Sequence, residues 1–249
     1  TVDKGNQDGK KKLDSAKYFY SVLVTIDSSN LEYHRQLALI YIDLQEYTLA
    51  IKTFRFLSEK MPDNEKFHYN IGVCKLKSRD FHGAVASFSD ALKIDPQYQL
   101  ALFHRAVTKS EILYEEANKK AEKVVSSFKP YLEYMGQTKP KYRPNFEKFY
   151  SLKAQPILND LTLLLEINPS HLLGMFERAK VFRCMGDYDS AIKDYNNCIM
   201  LKPDFGRAYA YRGLTKIFAR RKEEACIDFS LGVENGSTEA QEFMNELCR

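Results

Sequence analysis

Residues 31–64 are LEYHRQLALIYIDLQEYTLAIKTFRFLSEKMPDN, and this stretch decides the fold class. Apolar residues recur three to four positions apart on two successive segments, as they do on one face of an α-helix. They are Leu37, Ala38 and Tyr41 in the first segment, then Ala50, Phe54 and Leu57 in the second. A break at 43–46 that contains Asp43, Gln45 and Glu46 separates the segments, and Pro62 ends the second one. The stretch therefore predicts two short amphipathic helices that pack as a pair.

The pattern recurs with a period of 34 residues, which separates Pro62 from Pro96 and Pro169 from Pro203. Alanines keep the same spacing, at Ala50 and Ala84 and at Ala191 and Ala225. Between Pro96 and Pro169 the gap is 73 residues, so one repeat contains about 39 extra residues. Neither helix of a pair can cover its apolar face alone, and we therefore expect the repeats to stack.

Small and bulky residues alternate between the two helices of every repeat. The eighth place is small in each, at Ala38, Gly72, Ala106, Ala179 and Gly213. A bulky residue stands on each second helix, at Phe54, Phe88, Leu161, Tyr195 and Phe229. A small side chain lets two helices approach closely, and we expect the bulky ones to fill the space between repeats.

In these features the sequence resembles the tetratricopeptide repeat family. The length, the terminal proline and the small-large pattern match in 31–64, 65–98, 172–205 and 206–239. The resemblance implies an all-α fold, a right-handed α-α superhelical solenoid of helix-turn-helix repeats in which one repeat carries a long insertion. Six residues depart from the family pattern: His34, His68, Lys75, Lys109, Lys216 and Ser237.

On this basis we expect a single solenoid over residues 14–249. Its parts are a partial repeat at 14–30, repeats at 31–64, 65–98, 99–171, 172–205 and 206–237, and a capping helix at 238–249. Residues 1–13 carry no apolar stripe, and we expect a disordered or edge segment there: a truncated repeat, or an edge that needs a partner. Thr238 with Gln241 has the spacing of a capping box at the start of the last helix.

The insertion, at about 114–155, begins as a continuation of the first helix of its repeat and is expected to become irregular from Lys129. Its later part, 139–150, interleaves cations with aromatics. They include Lys139, Lys141, Tyr142, Arg143 and Phe146. One hypothesis is a surface for RNA or another anion, with bases stacked on rings and phosphates near cations. The alternative is a long loop whose aromatics pack on the solenoid while the lysines remain in water.

Family resemblance implies a concave face lined by the first helices of the repeats. The residues expected to contact a partner there are Arg35, Tyr69, Asn70, Phe103, His104, Val107, Phe176, Glu177, Lys180 and Tyr211. Aromatic groups with few charges suit a protein interface. We therefore predict a non-catalytic protein-protein interaction scaffold that binds an extended peptide or a helix of a partner. In the alternative arrangement, Phe103 and Phe176 are covered by the insertion or by neighbouring helices.

Some family members bind the C-terminal carboxylate of chaperones through lysine, asparagine and arginine residues on three consecutive repeats. The matching places here hold Arg35, Leu39, Asn70, Leu100 and His104. Only Arg35, in place of a lysine, and Asn70 fit that set. The sequence therefore predicts no chaperone carboxylate clamp.

No motif for catalysis, nucleotide binding or metal ligation occurs, so we expect neither an enzyme nor a cofactor. The net charge of +4 is too small by itself to indicate nucleic acid, and no apolar run is long enough to span a membrane. Five scattered cysteines without close spacing predict buried thiols and no disulfide. That pattern favours the cytoplasm, with a periplasmic or secreted location as the alternative if a signal peptide preceded Thr1.

Overall fold

The computed structural model describes residues 2–134 and 153–248, and in these ranges the chain forms twelve α-helices and no strand. The chain divides into two compact units, residues 1–108 and residues 109–249. We call them unit 1 and unit 2. The single solenoid domain over 14–249 stays a prediction.

Unit 1 is a stack of helices joined by short turns. Its helices are α1 (Val2–Ile26), α2 (Leu31–Asp43), α3 (Tyr47–Lys60), α4 (Glu65–Lys77), α5 (Phe81–Ile94) and the first turns of α6 (Gln99–Tyr134). Consecutive helices contact one another, with α4 and α5 the most extensive pair. The predicted helix pairs of repeats 31–64 and 65–98 are thus confirmed.

Unit 2 continues the same helix-pair design. After the remainder of α6 it contains α7 (Gln155–Ile167), α8 (Leu172–Met185), α9 (Tyr188–Leu201), α10 (Gly206–Phe218), α11 (Lys222–Glu234) and α12 (Thr238–Leu247). The 36 residues of α6 confirm that the first helix of the interrupted repeat is extended. The helix continues to Tyr134, beyond the predicted limit at Lys129.

The N-terminal segment differs from the expectation of a disordered or edge segment at 1–13, because α1 begins at Val2 rather than at Asp14. The early residues of α1 are polar, and those whose exposure is described are solvent-exposed. Because they carry no apolar stripe, the sequence pattern did not predict this part of the helix.

Short polar side chains cap the start of five of the described helices. Asn30, Asn64, Asp80 and Asp187 accept backbone N–H bonds from the first turn that follows. At α12 the cap is Ser237, whose Oγ accepts from the Ala240 N–H at 3.2 Å. The predicted capping box led by Thr238 is wrong by one residue, and the serine at the usual proline position is the cap itself.

The turn inside each of four repeats contains a residue in the left-handed region, where glycine is favoured. These residues are Gln45 (φ 62°), Arg79 (φ 64°), Gly186 (φ 83°) and Arg220 (φ 62°). Glycine occupies this position in only one of the four, so three repeats tolerate an L-residue there.

The packing of small against bulky residues follows the predicted pattern. A Cβ atom added at Gly72 would lie 2.5 Å from Phe88 Cε1, and one added at Gly213 would lie 2.7 Å from Phe229 Cε1. Both rings are fully buried. The aromatic side chain of each second helix therefore occupies the space that the missing side chain leaves on the first helix.

The prediction that no disulfide forms is wrong. Cys226 on α11 and Cys248, directly after α12, are joined by a disulfide with a Cα–Cα distance of 5.8 Å. The two residues are 22 positions apart, and α12 must fold back along α11 before they meet. Cys74 and Cys198 are buried thiols, as expected, and Cys184 is a half-buried one.

Candidate functional site

Unit 2 contains a cavity of about 440 Å³, walled mainly by first helices of the repeats. We call it the unit 2 cavity. Its lining residues are Ser110, Glu111, Leu113 and Tyr114 of α6, Ile157 of α7, Glu177, Lys180, Val181, Arg183 and Cys184 of α8, Tyr211 and Leu214 of α10, and Phe243 of α12. Three of the predicted contact residues, Glu177, Lys180 and Tyr211, lie together in this wall.

Tyr211 is the centre of the aromatic side of the cavity. Its ring meets that of Phe243 edge-on, with centroids 6.0 Å apart, and packs on Phe176 at 5.4 Å. Phe243 in turn packs against the buried ring of Phe229 at 5.8 Å. Edge-to-face contacts hold a ring in one orientation, so this wall is formed before any ligand arrives.

Charged groups complete the lining. Glu177 Oε2 and Lys180 Nζ form an ion pair at 2.8 Å. The Arg183 guanidinium lies 6.0 Å from the Tyr211 ring centroid and 5.9 Å from that of Phe218. Glu111 is solvent-exposed on the opposite helix, α6. The cavity thus offers apolar, cationic and anionic contacts within one small volume.

Buried ion pairs join the helices that carry the cavity to the second helices of their repeats. Arg178 of α8 donates to Asp194 of α9 at 2.7 Å and 2.9 Å. Arg212 of α10 donates from Nε to Asp228 of α11 at 3.0 Å, and Lys216 reaches the same carboxylate at 2.9 Å. Asp194 and Asp228 are almost fully buried. Each pair joins the two helices of one repeat.

Lys75, Lys109 and Lys216 occupy positions where the family usually has an aromatic residue. Each of these lysines contacts a polar group on the second helix of its repeat. Lys216 contacts Asp228, and Lys109 contacts the buried Asp160 at 2.9 Å. In unit 1, Lys75 donates to Ser87 Oγ at 3.0 Å. A cation on the first helix with an acceptor on the second replaces ring packing between the helices.

Phe176 was predicted to contact a partner, and the structure contradicts this prediction. Its side chain is 1% exposed and packs against Tyr195, Phe205 and Tyr211. The neighbouring helices cover it, as the alternative arrangement expected. It supports the cavity wall through Tyr211 and has no surface of its own to offer.

In unit 1, Tyr69 and His104 form one polar contact within an aromatic cluster. Tyr69 Oη and the Leu100 carbonyl oxygen each lie 3.1 Å from His104 Nδ1. The Phe88 ring stacks on His104 at 5.9 Å. Burial lowers the pKa of His104 and raises the pKa of Tyr69 to about 12, so both groups are neutral near pH 7.

The other predicted contact residues of unit 1 lie on several helices and do not form one cluster like that of Tyr69 and His104. Arg35 is half exposed and is held by Glu32, whose Oε1 lies 2.6 Å from the guanidinium. Asn70, Phe103 and Val107 are half-buried on the first helices α4 and α6. The predicted insertion surface (Lys139, Lys141, Tyr142, Arg143 and Phe146) lies outside the described residues.

Among the described residues there is no cluster of side chains suited to hold a metal ion, and no described helix has the length and apolarity needed to cross a membrane. The buried carboxylates Asp160, Asp194 and Asp228 are each paired with a cation. The arrangement of the unit 2 cavity is suited to binding.

The sequence profile of the tetratricopeptide repeat matches residues 65–98 and 173–205. Those two ranges coincide with the α4–α5 and α8–α9 pairs. These two helix pairs match the tetratricopeptide repeat.

Relatives of the chain include Hsp70-Hsp90 organizing protein 2 of Arabidopsis thaliana, 22% identical over 91% of the chain. The small glutamine-rich tetratricopeptide repeat-containing protein 2 of Mycosarcoma maydis is 34% identical over 28% of the chain. The chain spans 39% of the length of the first relative and 20% of the second.

Solved structures share the fold. MamA of Desulfovibrio magneticus RS-1 matches with a TM-score of 0.63 and 12% identity, over 83% of this chain and 95% of MamA. YrrB, described as a TPR protein with an unusual peptide-binding site, matches with a TM-score of 0.62 and 12% identity, over 91% of this chain and 97% of YrrB. At such low identity the likeness establishes the solenoid fold alone.

The sequence did not predict several cavity residues, above all Arg183, Tyr114 and Phe243. Arg183 lies one helical turn beyond Ala179 and Lys180, so helical periodicity extended by one turn would have found it. Tyr114 is contributed by the extension of α6, and Phe243 by the capping helix. Their place in the wall depends on how those helices pack.

Proposed function

We propose that this chain is a non-catalytic scaffold that binds an extended peptide or a helix of a partner protein. The observation that supports the proposal most directly is the unit 2 cavity. It is formed by the first helices of consecutive repeats, and it combines a preformed aromatic wall with charged groups. Concave sites with apolar walls and a few fixed polar groups are typical of ligand recognition.

The names of similar proteins agree with a binding role for this chain. The YrrB structure is described as having a peptide-binding site, and two relatives are named for organizing Hsp70 and Hsp90. Because this chain spans only about two fifths of those relatives, their partners are not transferred to it.

We further propose that the partner is not held by a chaperone-type carboxylate clamp. Of the two fitting residues, Arg35 is engaged by Glu32. At a third clamp place His104 is neutral and is bonded within its own unit. A C-terminal carboxylate would therefore find fewer available cations in unit 1 than that clamp requires.

The proposal is tested by site-specific photo-cross-linking in the cell from which the chain comes. A photoreactive phenylalanine analogue replaces Tyr114, which lines the cavity and is 58% exposed. The matched control places the same analogue at Ile227, which is 62% exposed on the second helix α11. We expect a defined protein adduct from position 114 and none of the same mass from position 227.

Two alanine variants decide whether the cavity is the site. Tyr211→Ala removes the centre of the aromatic wall, and we expect about a tenfold or greater loss of partner affinity, as for an interface aromatic. Tyr114→Ala tests the same wall at an exposed residue whose loss leaves folding intact, with circular dichroism as the check. Unchanged affinity for the cross-linked partner in both variants would contradict the proposal.

A further inference from the structure

Arg183 differs from the other partly buried cations of unit 2. Within residues 109–116 and 153–248, the half-buried cations Lys109, Arg178, Lys180, Arg212 and Lys216 each have a carboxylate partner. Arg183 is also half-buried, yet no described carboxylate forms an ion pair with it. A charge withdrawn from water without a counter-charge is destabilising, so its retention calls for an explanation.

The surroundings of Arg183 do not neutralise it. The Tyr195 hydroxyl beside it is buried, and burial raises the pKa of Tyr195, so this neighbour is uncharged. The rings of Tyr211 and Phe218 lie about 6 Å from the guanidinium and offer only their π faces. Glu177, the carboxylate on the same helix and the same cavity wall, is already paired with Lys180.

Ser110 provides a second polar group on the cavity wall. Its buried Oγ has no hydrogen-bond partner among the described residues. Glu111 has no ion-pair partner among the described residues either, but it is solvent-exposed, so water satisfies its charge. Arg183 and Ser110 thus leave donors available in the cavity, and Tyr211, Leu214 and Phe243 supply an apolar surface beside them.

We propose that the unit 2 cavity binds a peptide segment in which a carboxylate stands next to an apolar side chain. Arg183 pairs with the carboxylate, Ser110 donates a hydrogen bond, and the apolar side chain packs on Tyr211 and Phe243. This inference rests on the proposed scaffold function and specifies the chemistry of its ligand. The carboxylate comes from an acidic side chain or from a peptide C-terminus, since both present the same two oxygens.

The test uses the full chain and a library of random dodecapeptides, followed by fluorescence anisotropy with the selected sequences. We expect enrichment of Asp or Glu, or of a free C-terminus, beside Leu, Phe or Tyr. Exchange of the acidic residue for its amide, and of the free C-terminus for a carboxamide, separates the two sources of carboxylate. The source that Arg183 recognises is the one whose exchange weakens binding.

Arg183→Gln removes the cation, and we expect affinity for the selected peptides to fall about ten- to a hundredfold, as for a lost charged hydrogen bond. Arg183→Lys keeps the positive charge but lacks the forked donors of the guanidinium. Its affinity for the peptides should therefore lie between those of the unaltered protein and Arg183→Gln. The control is Lys193→Gln, which removes an equal charge from an exposed site on α9 and should leave affinity unchanged.

The outcomes separate this inference from the scaffold proposal. Peptides that bind, respond to Tyr211→Ala and show neither acidic preference nor sensitivity to Arg183→Gln would overturn the carboxylate inference alone. A library in which no sequence binds at the cavity would contradict both. Equal losses of peptide affinity in Arg183→Gln and Lys193→Gln would show that the effect comes from net charge. That outcome would also overturn the carboxylate inference.

Discussion

The buried carboxylate of Asp228 holds two cations of the preceding helix at once. Its carboxylate is 2% exposed and contacts both Arg212 and Lys216 of α10. Asp194 and Asp160 repeat the arrangement with Arg178 and Lys109. A buried pair of this kind adds little net stability when intact, but removal of one partner leaves the other charge uncompensated.

We therefore expect Asp228→Ala to lower the free energy of unfolding by about 3–5 kcal/mol, since two cations would lose their counter-charge. Urea denaturation measures the change. The control is Asp90→Ala, which breaks an exposed pair with Lys93 and should cost about 1 kcal/mol or less. Similar losses in the two variants would contradict the role assigned to burial.

His104 makes the stability of unit 1 depend on pH. Burial lowers its pKa below the ordinary value of 6.5, so the unfolded chain binds the proton more readily than the folded one. Neutral His104 therefore contributes fully to folding stability above pH 6.5, the ordinary pKa. This contribution is lost as the pH falls through the lower pKa of the folded state. We expect His104→Gln to remove this part of the stability loss that accompanies acidification below pH 6.5, as measured by urea titrations. Parallel pH profiles for the two proteins would contradict it.

At the scale of elements, α12 is the helix most dependent on a covalent bond. Ala240 is the one residue of Thr238–Leu247 that is fully buried. A helix of ten residues is marginal by itself. Contacts of Phe243, the Arg207–Glu239 ion pair at 2.9 Å and the Cys226–Cys248 disulfide hold it on α10 and α11. Since Phe243 lines the unit 2 cavity, the stability of α12 also affects the candidate site.

Replacement of both Cys226 and Cys248 by serine should lower the free energy of unfolding by about 3 kcal/mol, the loop-closure value for a link across some 20 residues. Hydrogen exchange should show α12 opening before α10 and α11. Cys184→Ser serves as the control, because Cys184 is a free thiol outside this link. Equal protection of α12 with and without the disulfide would show that packing alone holds it.

Within each unit, stability comes from contacts between consecutive helices, which is the behaviour expected of stacked repeats. In stacked repeats, equivalent turns of successive first helices lie side by side. The unit 2 cavity is lined mainly by such turns of α6, α8 and α10. The RNA- or anion-binding alternative depends on residues 139–150 and stays a prediction, as does the cytoplasmic location.

The sequence by itself determined the helix pairs, because period, small residues and proline stops are local features that repeat in register. The tertiary structure alone decided which side chains were covered. Phe176 has the same spacing as an exposed groove residue, yet Tyr195, Phe205 and Tyr211 surround it. Likewise, Cys226 meets Cys248, and Arg183 lacks a counter-charge, only because separate helices converge in space.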